Sequence, residues 1–121
     1  MGETNFIEGT VAGSGADSVA VQTSLGLFAA TAHGWRPQSG QKVLLSVRPE
    51  TLRLSTTATA INSIPGSLHE RVYLGEMAQY RFLAGDQTLK IFELNPKFVF
   101  ESDDRELFAS VAPEDVVALP S

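Results

Sequence analysis

Along most of the chain apolar residues alternate with polar ones at a spacing of two, the signature of half-buried strands. Val19 and Val21 alternate with Ala20 and Gln22, and Tyr80 and Phe82 with Gln79 and Arg81. Val43, Leu45 and Val47 alternate with Lys42, Ser46 and Arg48, with Leu44 the exception. Leu89 and Ile91 flank Lys90, while Leu107, Ala109 and Val111 share one face and Phe108 and Ser110 the other. Turn-forming residues punctuate these runs at 13–15, 34–40, 65–66, 85–86 and 95–96, where Gly, Pro, Asn and Asp supply the backbone conformations that reverse a chain. The pattern predicts about ten short strands and one short helical turn near 70–77. Many short, evenly spaced strands make a sandwich or a barrel, and this size suits small barrels of the OB type.

The chain has 121 residues, enough to bury roughly two-thirds of its unfolded surface in one core or two small lobes. With 43% hydrophobic and 19% charged residues it is too apolar for disorder,. No apolar run approaches the roughly 18 residues of a membrane-spanning helix. The stretch MGETNFIEG lacks the basic-then-apolar order of a secretory leader,. Zero cysteines exclude disulfides and thiolate metal sites,. Nine Lys and Arg against 14 Asp and Glu give a net charge of -5. Nucleic-acid binding draws its affinity from clustered cations that displace counterions, so this balance argues against it.

One phrase is written twice: Ser46-Val47-Arg48-Pro49-Glu50 and Ser110-Val111-Ala112-Pro113-Glu114. In each copy an alternating strand runs into a proline, which cannot donate to a ladder and so ends the pairing. A glycine that opens another strand precedes each copy, in Gly9-Thr10-Val11 and in Gly66-Ser67-Leu68. The chain is therefore read as one region, 1–121, with two related halves at approximately 5–54 and 64–119. The small polar stretch within 55–63 is the linker.

Gly40, Val43, Val47-Arg48-Pro49-Glu50, Val72-Tyr73-Leu74-Gly75, Tyr80, Gly85 and the closing run 113–119 together resemble the TOBE region. That OB-like segment lies at the C-terminus of the ATP-binding subunits of ABC importers for polyamines, iron and sugars. The resemblance covers nearly the whole chain, and the stretch from Glu3 to Gly9 is similar to the junction where such subunits leave their ATPase domain. It implies a non-catalytic regulatory and dimer-stabilising region that senses substrate or a regulator. A homodimer, a parent ATPase domain, membrane subunits and a place at the cytoplasmic face of the inner membrane follow from the same resemblance. The alternative is a free-standing OB-like protein that binds a small ligand or an oxyanion.

Catalytic signatures are absent from the sequence. The stretch GWRPQSGQK at 34–42 places one residue too many between its glycines for a phosphate-cradling loop,. Gly13-Ser14-Gly15 reads as a hairpin turn. His33 and His69 are read as surface residues with no metal partner, and no cofactor is expected,. The acidic run from Glu101 to Glu106 lacks the glycine of a calcium loop and reads as a solvated turn,. Four residues are candidates for ligand or partner contact. Arg48 and Glu50 flank Pro49 and match the family's Arg-Pro-Glu motif, with a structural ion pair the competing reading. Tyr73 and Tyr80 bracket Gly75, read as a strand bulge or a close backbone approach, with core packing the competing reading for the tyrosines,. Phe92, Phe98, Phe100 and Phe108 are candidates for a dimer contact,.

Overall fold

A computed structural model describes residues 3–15, 18–94 and 106–121. Among these residues ten strands run in the order β1 (Asn5–Ser14), β2 (Val19–Thr23), β3 (Gly26–Ala30), β4 (Lys42–Val47), β5 (Arg53–Ser55), β6 (Ser63–Leu74), β7 (Met77–Ala84), β8 (Gln87–Leu94), β9 (Leu107–Ser110) and β10 (Val116–Pro120). They form two antiparallel five-stranded sheets, ordered β10-β4-β1-β2-β3 and β5-β9-β6-β7-β8. The fold is all-β and OB-like, in two related halves.

The two sheets share one plan. Strands β1 to β4 of the first correspond to β6 to β9 of the second, and the fifth strand of each comes from the opposite half: β10 pairs with β4, and β5 pairs with β9. The repeated phrase is where this crossing happens. After Val47 and after Val111 the chain enters a 3-10 turn, Pro49–Thr51 or Pro113–Asp115, headed by the proline and preceded by extended backbone at Arg48 or Ala112. Proline suits this place because its φ is preset and it has no N–H to leave unpaired. The Leu52 N–H returns to the Pro49 carbonyl at 3.4 Å, and the Asp115 N–H to the Ala112 carbonyl at 2.9 Å. The first turn packs on β8 and the second on β3, so each seals a strand of the barrel that it is entering.

Alternation sets the core. Val19 and Val21, Val43, Leu45 and Val47, and Ala78, Tyr80, Phe82 and Ala84 all face inward, and the buried residues of both sheets form one continuous cluster. Where 70–77 was expected to turn helically, the structure has the hairpin of β6 and β7 instead. Tyr73 pairs with Ala78 and Leu74 with Met77. Gly75 sits at the tip with φ +63, so it serves the reversal of the chain and not a bulge,. The bulge of β6 lies between Leu68 and Glu70, matching the one between Val11 and Gly13 in β1. Gly9 and Gly66 precede these two irregularities because the facing strand lies too close for a side chain. A Cβ on Gly9 would stand 2.9 Å from the Gln22 carbonyl, and one on Gly66 would stand 2.7 Å from the Phe82 ring.

Candidate functional site in the seam of the second barrel

The two barrels close differently. In the first, Thr31 just beyond β3 bridges β10 in parallel: its N–H donates to the Val116 carbonyl at 2.8 Å, and its carbonyl accepts the Ala118 N–H at 2.9 Å. Trp35 covers this closure and donates from Nε1 to the Ala118 carbonyl at 3.1 Å. In the second barrel no such bridge joins β8 to β5 among the described residues. This seam carries polar side chains. Inward from the β7–β8 turn, Ala84, Phe82 and Tyr80 follow one another as Thr23, Val21 and Val19 do in the first barrel, so Tyr80 takes the place of a valine. On β8 the inward row Leu89, Ile91 ends in Glu93, and Arg53 of β5 supplies a guanidinium whose charge reaches it.

Tyr73 and Tyr80 meet edge to face, with ring centroids 6.5 Å apart and planes at 88°, a favourable arrangement for aromatic quadrupoles. Tyr80 is buried and Tyr73 is exposed, so the pair runs from core to surface. Burial pushes the Tyr80 phenol above its ordinary range, with the Glu93 charge and Tyr73 adding to the rise. Burial also pushes the Glu93 carboxyl up, while the Arg53 guanidinium and the neighbouring Tyr80 phenol pull it back. A carboxyl, two phenols and a guanidinium thus gather at one seam, a polar set whose chemistry suits a polar ligand. Among the described residues no group of three or more His, Asp or Glu could hold a metal ion.

The remaining candidates are dispersed. Arg48 and Glu50 are both exposed on the first 3-10 turn, and among the described residues neither forms an ion pair. The Arg48 carbonyl is engaged by Thr51 through its N–H at 3.0 Å and its Oγ1 at 2.7 Å. Glu50 borders a shallow recess with Arg53, Thr59 and Ser110. Phe92 is half-buried on β8 and lines an outer cleft of about 140 Å³ with Glu3, Glu70, Arg81 and Lys90, where two ion pairs, Glu70–Arg81 at 3.3 Å and Glu3–Lys90 at 2.8 Å, neutralise the charges. Phe108 lies on β9, separated from β8 in the sheet by β6 and β7. Phe98, Phe100 and the acidic run 101–105 fall outside the described residues. His33 and His69 are exposed. Sequence reasoning missed Arg53 and Glu93; the signal for Glu93 was a charge in the inward phase of an apolar alternation.

Residues 45–119 match the profile of the TOBE domain. The chain belongs to the TOBE domain family. One curated relative is the spermidine/putrescine import ATP-binding protein PotA of Rubrobacter xylanophilus, 36% identical over 88 residues, covering 71% of this chain and 23% of that protein. The TOBE chain thus spans about a quarter of that relative's length. Among solved structures, the cytoplasmic molybdate-binding protein ModG, with molybdate bound, superposes with a TM-score of 0.79 at 18% identity, over 97% of this chain and 96% of that one. At that identity the likeness is one of fold, and it extends to both barrels.

Proposed function

We propose that this TOBE chain is the non-catalytic regulatory and dimer-stabilising region of an ABC importer's ATP-binding subunit of the polyamine type, working at the cytoplasmic face of the inner membrane. The observation that carries the reading is the 36% identity to an import ATP-binding protein over 88 residues. The two lobes, approximately 5–54 and 64–119 with the linker at 55–63, act as one body following an ATPase domain. The β8–β5 seam with Tyr73, Tyr80 and Glu93 is the place where a regulator is sensed, and a second copy of the subunit is the partner. Arg48 and Glu50, exposed on the turn that packs on β8, are the side chains by which a partner reaches that seam.

A second reading has its own support. The match to the molybdate-binding protein covers both chains almost completely, so a two-barrel unit of this kind also exists as a free-standing binder of a tetrahedral oxyanion. Titration calorimetry with molybdate separates the two. The importer reading expects no saturable heat, together with an in-frame nucleotide-binding domain encoded upstream. Saturable micromolar binding with no such domain would replace it by the oxyanion reading.

A further inference from the structure

The strands at the ends of the two sheets, β3 and β8, pair on one side only, with β2 and β7, and at Ala29 and Lys90 their outer edges have no neighbouring strand among the described residues. Two buried asparagines fill these places. Asn5, at the start of β1 in the first barrel, donates from Nδ2 to the Lys90 carbonyl at 2.8 Å and accepts the Lys90 N–H at Oδ1 at 2.8 Å. Asn62, just before β6 of the second barrel, donates from Nδ2 to the Ala29 carbonyl at 2.9 Å and accepts the Ala29 N–H at 2.7 Å. Each barrel thus sends one carboxamide to the edge strand of the other. A carboxamide offers one donor and one acceptor side by side, as a peptide unit does, so each asparagine imitates the missing strand for one residue pair.

The match is built into the sequence around both residues. Asn5, Ile7 and Gly9 recur as Asn62, Ile64 and Gly66, with both isoleucines buried and both glycines at a close backbone approach. Asn62 holds φ +52, the one non-glycine residue with positive φ among those described, a conformation that asparagine tolerates better than most residues. Only 8% of Asn5 and 5% of Asn62 are exposed, so a side chain with one hydrogen-bonding group would leave a part-buried N–H or C=O of Lys90 or Ala29 unpaired,. Asn5 is reinforced by its neighbours: Glu3 pairs with the Lys90 ammonium at 2.8 Å, and Gln87 Nε2 donates to the Phe6 carbonyl at 2.8 Å.

We propose that Asn5 and Asn62 are reciprocal latches that lock the two barrels in one orientation and deny the edges of β3 and β8 to an added strand, the nearest candidate being the same strand of a second copy. An open edge is a ready template for such pairing, and natural sheets cover it by specific devices. The proposal stands apart from the importer reading, since it concerns only how the barrels are held together.

Amide hydrogen exchange on the intact chain tests it. In Asn5→Ala the Lys90 amide is expected to exchange about tenfold or more faster relative to the adjoining Leu89 and Ile91 amides, with Ala29 unchanged, and Asn62→Ala gives the reverse. Equal loosening of both amides by either change, or no change at Lys90 in the first variant, overturns the latches. Sedimentation equilibrium is expected to show Asn5→Ala associating more strongly than the parent chain. Association equal to the parent's overturns the shielding of the edge. Should the variants fail to fold, scalar coupling across the hydrogen bonds of the unaltered chain, from the Lys90 amide to the Asn5 side-chain carbonyl and from Ala29 to Asn62, decides the latches directly. Coupling is expected, and its absence overturns them.

Discussion

Glu93 follows Leu89 and Ile91 on the inward row of β8, so its half-buried carboxyl lies beside Tyr80 in place of bulk water. Burial raises its pKa in the folded chain. A group whose folded pKa lies above its unfolded value stabilises the fold below the unfolded value, and that contribution is lost as pH rises through the folded one. Glu93 therefore contributes stability in acid and loses that contribution as pH rises towards neutrality, while Arg53 and Tyr80 limit the loss. The Tyr80 phenol, also raised, keeps its contribution whole at neutral pH and loses it only in alkali,. Substitution Glu93→Gln keeps the shape and removes the titration. Its urea midpoint relative to the parent is expected to be more favourable at about pH 7 than at about pH 4, a window that begins just below the ordinary carboxylate value and spans the raised one. An offset independent of pH would show that the carboxyl senses no burial.

Among the elements, β6 shows how a single hydrogen atom fixes a strand's path. Gly66 lies where β6 presses on β7, and a methyl group there would run into the Phe82 ring at 2.7 Å and into the Leu83 carbonyl, which is backbone and cannot swing aside. Gly66→Ala is expected to lower stability by about 1 to 3 kcal/mol, the usual cost of overpacking. Gly13→Ala, with nothing within 4 Å of its added carbon, is expected to change it by less than about 0.5 kcal/mol,. Urea denaturation of the two variants side by side checks this, and equal losses would refute the close approach. The same elements show what the sequence could reveal. Alternation of Val43, Leu45 and Val47 and of Ala78, Tyr80 and Phe82 is local, so it disclosed the strands and their inward faces. The proline of each repeated phrase disclosed a strand end. That β5 and β10 then cross to the opposite sheet depends on pairing between residues more than 50 positions apart, such as Leu54 with Ala109 and Ala118 with Leu45, and no local pattern records a partner. The hairpin at 70–77 was misread for a related reason. Its outward residues Val72 and Leu74 are apolar and exposed, which blurs the alternation. The seam was half legible: Tyr73 and Tyr80 stood out as aromatics around a glycine, whereas Arg53 and Glu93 became neighbours only through the crossing.

At the scale of the molecule, the crossing binds the fate of each barrel to the other. Unfolding the second half withdraws β10 from β4 and from Thr31, and unfolding the first withdraws β5 from β9. The buried side chains already form one cluster across both sheets. Two lobes joined merely by a linker would melt separately, each with its own midpoint, but lobes that complete one another's sheets should melt together as a two-state unit. The single tryptophan makes this measurable. Trp35 belongs to the first barrel and is bonded to the exchanged strand through the Ala118 carbonyl, so its emission reports that closure, while far-ultraviolet circular dichroism reports the strands of both sheets. Ile91 lies in the second barrel, fully buried on β8, and Ile91→Ala is expected to cost about 2 to 5 kcal/mol. In a cooperative molecule that lesion shifts the Trp35 emission midpoint in urea by as much as it shifts the circular dichroism midpoint, although the tryptophan is in the other lobe. If the Trp35 transition stays where it was while the dichroism splits into two steps, the barrels fold independently and the exchanged strands do not couple them.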